Sequence, residues 1–318
     1  MAQSSAFKQA TLGDLVEFSG FGVHSGQPVS MTLYPADADT GILFTRSDIS
    51  EDIHVKAGHG VVAATELCTV IGDPTSAGVA TIEHLMAALS GLGVDNCIVE
   101  LDGPEVAIMD GSAAPFVAAI KAVGLRRQSA PRRFVKILKP VRVDVGDGFA
   151  ELLPQDAGFT VDVTIDFNTT LIGRQQLILD VTPKTFERDL SRARTFGFTR
   201  DLERLLAAGY ALGASLDNTV ALGEDRILNP EGLRYADEFV RHKALDAVGD
   251  LALAGAPLIA RFRSYRGGHK INFRVLQALF ADHSAWAYVT GAPARKPVHQ
   301  SEAAVVMQAA AAFSPEMS

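Results

Sequence analysis

The chain has 318 residues, 47% of them hydrophobic and 21% charged, with a formal net charge of −8 and two cysteines. That balance suits a globular protein of about two domains. It excludes a general nucleic-acid binder, which carries basic excess, a disulfide framework or four-thiolate zinc site, and a membrane helix, since no uncharged apolar run reaches about 18 residues.

The opening stretch MAQSSAFKQATLGDLVEF has no apolar core of a secretory signal. With only Cys68 and Cys97 present, a reducing cytoplasm is the expected compartment. Gly20-Phe21-Gly22-Val23-His24-Ser25-Gly26 sets a histidine among glycines. It lacks the Gly-Lys-Ser/Thr ending of a phosphate-binding P-loop. Val29-Ser30-Met31-Thr32-Leu33-Tyr34 alternates apolar and polar residues, as a half-buried strand does, and Pro35 ends it. TIEHLM follows, with Thr81 as a candidate N-cap and Glu83 and His84 in the first helical turn. The helix dipole there favours an ionised Glu83 and a neutral His84. Those states suit a base beside a metal ligand, and equally a plain capped helix.

The basic stretch GLRRQSAPRR, Gly124 to Arg133, reads as a boundary between two patterned halves. The second half begins with another alternating strand, Phe159-Thr160-Val161-Asp162-Val163-Thr164-Ile165-Asp166. EHLMAALSGLGVDNCIVEL and RHKALDAVGDLALAGAPLIARF each read as a helix, a glycine break and a strand. The pair hints at a duplicated unit in an α+β fold. Thr199 to Tyr210 reads as a short amphipathic helix, with Thr199 as N-cap and Gly209 as stop. It is either a core element or an insert lining a groove for an apolar ligand.

From Glu238 to Asp250 the chain reads as a helix. At about 100° per residue, His242, Asp246 and Asp250 share one stripe, with Val240, Ala244, Val248 and Leu251 opposite. H-x3-D places two potential ligands one turn apart. Asp250 could orient His242 or hold a cation. Tyr265-Arg266-Gly267-Gly268-His269 puts a further histidine after paired glycines. His84, His242 and Asp246 then form a two-histidine, one-carboxylate set suited to catalytic Zn²⁺, and Fe²⁺ suits the same donors. Glu83 lies beside it as a candidate base and His269 as a separate acid.

GFGVHSGQPV, TIEHLMAALSGLGVDN, IMDGSAAPFV, SRARTFGF, LRYADEFVRHKALDAVGDL and GGHKIN occur in this order. Together they resemble the UDP-3-O-acyl-N-acetylglucosamine deacetylases of lipid A synthesis in Gram-negative bacteria, over nearly the whole chain. The resemblance implies two similar α+β domains, 1–127 and 134–318, with paired helices packed between two outer sheets and the active site between the domains. It implies His84, His242 and Asp246 as Zn²⁺ ligands, Glu83 as general base and His269 as general acid. It makes Asp250 the partner of His269 rather than of His242. Thr195 becomes the hydroxyl facing the oxyanion. Lys243, Phe167, Arg266, Phe196 and His24 become substrate contacts, with Phe167 stacking on uracil. The insert around 196–222 becomes the passage for the acyl chain. The implied reaction releases acetate from a UDP-3-O-(3-hydroxyacyl)-N-acetylglucosamine, the committed step of lipid A synthesis. The implied partner is this small acylated UDP-sugar, without nucleic acid or integral membrane contact. A sugar-nucleotide or lipid-binding module without turnover is the reading from another class.

Overall fold

The computed structural model describes residues 7–50 and 53–291. The outer ends of the two expected domains, 1–6 and 292–318, lie outside them. The chain is mixed α+β, as expected. Its helices are α1 (Glu83–Leu92), α2 (Ala114–Val123), the single turn α3 (Pro183–Thr185), α4 (Thr199–Ala207), α5 (Glu238–Leu251) and α6 (His269–Ala281).

A five-stranded sheet runs in the order Val16–Phe21, Pro28–Pro35, Cys97–Leu101, Ile42–Arg46, His54–Lys56. The alternation read in Pro28–Pro35 is real: Val29, Met31 and Leu33 are buried while Ser30 is exposed. A seven-stranded sheet is organised on Leu258–Tyr265. That strand pairs antiparallel with Gly148–Leu153 and parallel with both Phe159–Asp166 and Arg133–Ile137. Here the expected half-polar strand differs. Thr160, Asp162 and Thr164 are buried as well as the apolar positions. Asp162 tolerates this because Arg261 and Arg263 pair with it from the neighbouring strand.

α2, α5 and α6 pack on these sheets. α2 packs on Val16–Phe21 and α1, while α6 packs on the hairpin formed by Val141–Val145 and Gly148–Leu153. At the centre α1 crosses α5. Both are buried nearly all round, with only Ser90 of α1 and Arg241 and Lys243 of α5 partly exposed. The crossing is close because α5 presents Gly249 to α1. A Cβ on that glycine would lie 2.0 Å from the Glu83 carbonyl oxygen.

The boundary stretch Gly124 to Arg133 carries a strand, Leu125–Pro131, paired antiparallel with Lys8–Leu12. One local expectation differs: Thr199 does not cap α4 from outside. It is the first helical residue, and its hydroxyl donates to the Leu222 carbonyl at 3.1 Å.

Candidate metal centre and active site

α1 and α5 deliver the central side chains. His84 Nε2 and His242 Nε2 lie 3.6 and 3.4 Å from Asp246 Oδ1. Donors bonded at about 2.1 Å to one tetrahedral ion would stand about 3.4 Å apart. One ligand atom from each of the three residues falls within 4.8 Å of the others, and all three residues are buried. Asp246 Oδ1 is buried without a hydrogen-bond partner. Such an orphaned acceptor is costly unless a cation completes it. The donor set therefore fits a metal ion.

Electrostatics favour the same state. Burial lowers the His242 pKa to about 3 against the pull of Asp246, so the imidazole is neutral. His242 Nδ1 lies 3.1 Å from the Ala193 carbonyl. A carbonyl only accepts, so Nδ1 carries the proton and the Nε2 lone pair faces Asp246. Burial pushes Asp246 up, but His242 and Lys243 outweigh it and hold Asp246 well below the usual carboxylate range. Lys243 donates to Asp246 Oδ2 at 2.9 Å.

Beside this triad lie Glu83 and His269. Glu83 begins α1 and is 3% exposed; burial raises its pKa, while His269 and His84 draw it back. His269 is not in an open loop but is the first residue of α6. Its Nε2 is 3.7 Å from Glu83 Oε1 and 4.0 Å from Asp246 Oδ2. Its Nδ1 donates to Asp250 Oδ2 at 2.9 Å. Burial opposes a charge on His269, yet Asp250 and Glu83 prevail and raise its pKa to about 9. Asp250 therefore faces His269, and the Ala193 carbonyl takes the place by His242.

Thr195 follows Arg194, a residue 1% exposed whose guanidinium is held by Glu238 and by the Gly232 carbonyl. The Thr195 amide donates to the Gly111 carbonyl at 2.8 Å, which ties this segment to the first half of the chain. Phe196 lies with its ring 6.1 Å from His242 and 5.8 Å from Phe167, and the Lys243 ammonium stands 5.8 Å from the Phe196 ring. Arg266 lies at φ +49° and pairs with Asp166 at 3.1 Å. Phe196–Phe198 and Val220–Leu222 pair in parallel across α4, which buries none of its side chains.

Two residues escaped the sequence reading. Glu105, 3% exposed, accepts the backbone amides of His24 and Ser25 at 3.0 and 2.8 Å and the Thr81 hydroxyl at 2.7 Å. Thr81 thus caps no helix: its φ is +57° and its hydroxyl is committed to Glu105. The glycine loop is locked from both sides. A Cβ on Gly22 would lie 2.1 Å from Glu105 Oε2, and the Leu212 amide donates to the His24 carbonyl at 3.1 Å. The second residue is Thr69, on the segment entering the strand Val70–Ile71. Its hydroxyl meets Asp250 and its amide meets Glu83.

The family model described as LpxC: UDP-3-O-acyl N-acetylglycosamine deacetylase matches residues 9–281. The chain belongs to the UDP-3-O-acyl-N-acetylglucosamine deacetylase family. Curated relatives of that name from Brucella ovis, Brucella abortus biovar 1 and Brucella melitensis biotype 2 are each 54% identical over 282 residues. The match covers 88% of this chain and 98% of each relative. Deacetylases of this family are metal-dependent, and His84, His242 and Asp246 are the metal-type cluster among the described residues. No helix among them is long and apolar enough to cross a membrane.

Proposed function

We propose that this chain hydrolyses the N-acetyl group of a UDP-3-O-(3-hydroxyacyl)-N-acetylglucosamine, yielding acetate and the free amine, in lipid A synthesis. The observation that carries the reading is the orphaned Asp246 Oδ1 between two histidine Nε2 atoms, with a buried base and a cationic acid beside it. Zn²⁺ held by His84, His242 and Asp246 would supply Lewis acidity, polarising the amide carbonyl and making water a nucleophile near neutral pH.

The remaining steps belong to the protein. Glu83 Oε1 takes a proton from the attacking water; burial keeps the carboxylate basic enough for this. The Thr195 hydroxyl donates to the oxygen that gains charge, and Lys243 adds its positive field. An amine leaves well only when protonated, so His269 Nε2 donates to the glucosamine nitrogen, with Asp250 holding the ring through Nδ1. Phe167, Arg266, Phe196 and His24 form the nucleotide and sugar contacts. The segment 196–222 takes the acyl chain, offering Leu202, Leu206, Leu212 and Leu216 as exposed apolar side chains.

We also assign two domains, 1–127 and 134–318, each contributing one sheet and one central helix to the shared site. The cytoplasm, where the buried and free Cys68 and Cys97 stay reduced, is the proposed compartment. Acetate release from the acylated nucleotide sugar by zinc-loaded protein tests the reading. Wild type should turn over while His242→Ala loses both metal and activity. Binding of the nucleotide sugar without any acetate release by the wild type would leave a binding module instead.

A further inference from the structure

The proposed acid and base lie on different helices from different halves of the chain. Glu83 starts α1, His269 starts α6, and the carboxylate behind His269 comes from α5. Nothing in α1 reaches Asp250 directly among the hydrogen bonds of the described residues. Thr69, 1% exposed, hydrogen-bonds to both arms. Its hydroxyl donates to Asp250 Oδ1 at 2.7 Å, and its backbone amide donates to Glu83 Oε2 at 3.1 Å. Those two oxygens are the ones the chemistry leaves over. Asp250 Oδ2 is already shared by His269 Nδ1 and the Asn272 side-chain amide, both at 2.9 Å. Glu83 Oε1 is the oxygen facing His269 Nε2.

The segment carrying Thr69 is itself fixed. Leu67 turns it at φ +66°, and Ile71 exchanges backbone hydrogen bonds with Val79 at 3.0 and 2.9 Å, a few residues before the start of α1 at Glu83. Thr69 is therefore tied to the start of α1 while its hydroxyl grips α5. A threonine meets this geometry well: the β-branch restricts χ1 in a crowded site, and a hydroxyl can donate to a carboxylate without adding charge. A third donor also fixes which Asp250 oxygen remains for His269.

We infer that Thr69 is a positioning residue for the reaction: it holds Asp250, and through it the His269 ring, in register with Glu83 across the interface of the two halves. This rests on the deacetylase reading and deepens it. Losing such a support misaligns the proton donor without touching substrate or metal ligands. The cost falls on kcat, at about ten- to a hundredfold, as for other residues that orient catalytic groups.

The test measures kcat, KM, zinc content and melting temperature for wild type, Thr69→Val, Thr69→Ser, Asp250→Asn and Thr69→Val combined with Asp250→Asn. Thr69→Val keeps the branched shape and the amide while deleting the hydroxyl. It should lose about ten- to a hundredfold in kcat per bound zinc with KM within about threefold. Thr69→Ser should restore kcat to within about threefold of wild type. With Asp250 already replaced, the valine should cost less than about threefold, because the two residues act as one unit. A Thr69→Val enzyme with wild-type kcat overturns the proposal. So does an equal loss in both Asp250 backgrounds, which would mean that the hydroxyl serves the fold rather than Asp250. An inactive, zinc-loaded wild type would instead sink the deacetylase reading, and this inference with it.

Discussion

Gly249→Ala places one methyl group where α5 crosses α1. The new Cβ would lie 2.0 Å from the Glu83 carbonyl oxygen, 2.8 Å from the Glu83 carbonyl carbon and 3.1 Å from the Ala87 nitrogen. Real Cβ atoms stay at least 3.0 Å from such neighbours, so the helices must part by about 1 Å. All three neighbours are backbone atoms, and no rotamer change relieves the contact. Alanine is the better helix former by about 1 kcal/mol, and overpacking costs about 1–3 kcal/mol. Global stability should therefore fall little, by a few degrees in Tm at most. The site should suffer far more. Glu83 and His84 ride on α1, His242 and Asp246 on α5, and the separation of 3.6 Å between His84 Nε2 and Asp246 Oδ1 spans the crossing. A misplacement near 1 Å costs about a hundredfold in rate. Acetate release, zinc content and Tm of the purified variant decide the matter. Full zinc occupancy with kcat within about threefold of wild type would refute the claim that this crossing sets the site.

Glu83→Gln should bind zinc as wild type does but lose about 10²–10⁴-fold in kcat; retained activity would remove Glu83 as the base. The pH dependence follows from His269, whose pKa is raised from 6.5 to about 9. A raised folded-state pKa means that the bound proton stabilises the fold fully below 6.5 and less as pH climbs through about 9. Metal-free protein should lose stability across that window in denaturant titrations, and His269→Gln should flatten the slope. In turnover His269 must be protonated, so Asp250→Asn should move the alkaline limb of the rate profile to lower pH; an unmoved limb would assign that limb to another group. Glu105→Gln weakens the grip on the His24 and Ser25 amides and should raise KM more than it lowers kcat. A pure kcat effect would place Glu105 in the chemistry rather than the binding loop.

The metal-type set was legible because helical spacing is a local property. His242 and Asp246 are one turn apart, and Glu83–His84 is a contiguous pair at a helix start, so pattern alone brought them forward. Asp250 showed the limit of that logic. Its stripe on α5 could serve either histidine; the family resemblance pointed to His269, and α6 brings that ring against Asp250. Thr69 and Glu105 were silent because each is a lone polar residue in irregular chain. Thr69 finds Asp250 across 181 positions of sequence, and nothing periodic announces that meeting. Thr81 was misread for the opposite reason: threonine before a helix is a strong cap signal, but its left-handed backbone and its hydrogen bond to Glu105 override it. The strand Leu125–Pro131 within the boundary stretch was silent too, because its partner, Lys8–Leu12, lies more than a hundred positions earlier. Tertiary partners, not local propensity, made each of these outcomes.

The most direct measurement is activity against bound metal in one titration. Protein stripped by a chelator is returned to increasing zinc while acetate release from the acylated nucleotide sugar is followed. A site built by His84, His242 and Asp246 predicts no release without metal and full recovery near one zinc per chain, with His84→Ala and His242→Ala failing to recover at that ratio. Undiminished release from metal-free protein, or recovery by both variants at one equivalent, would contradict it.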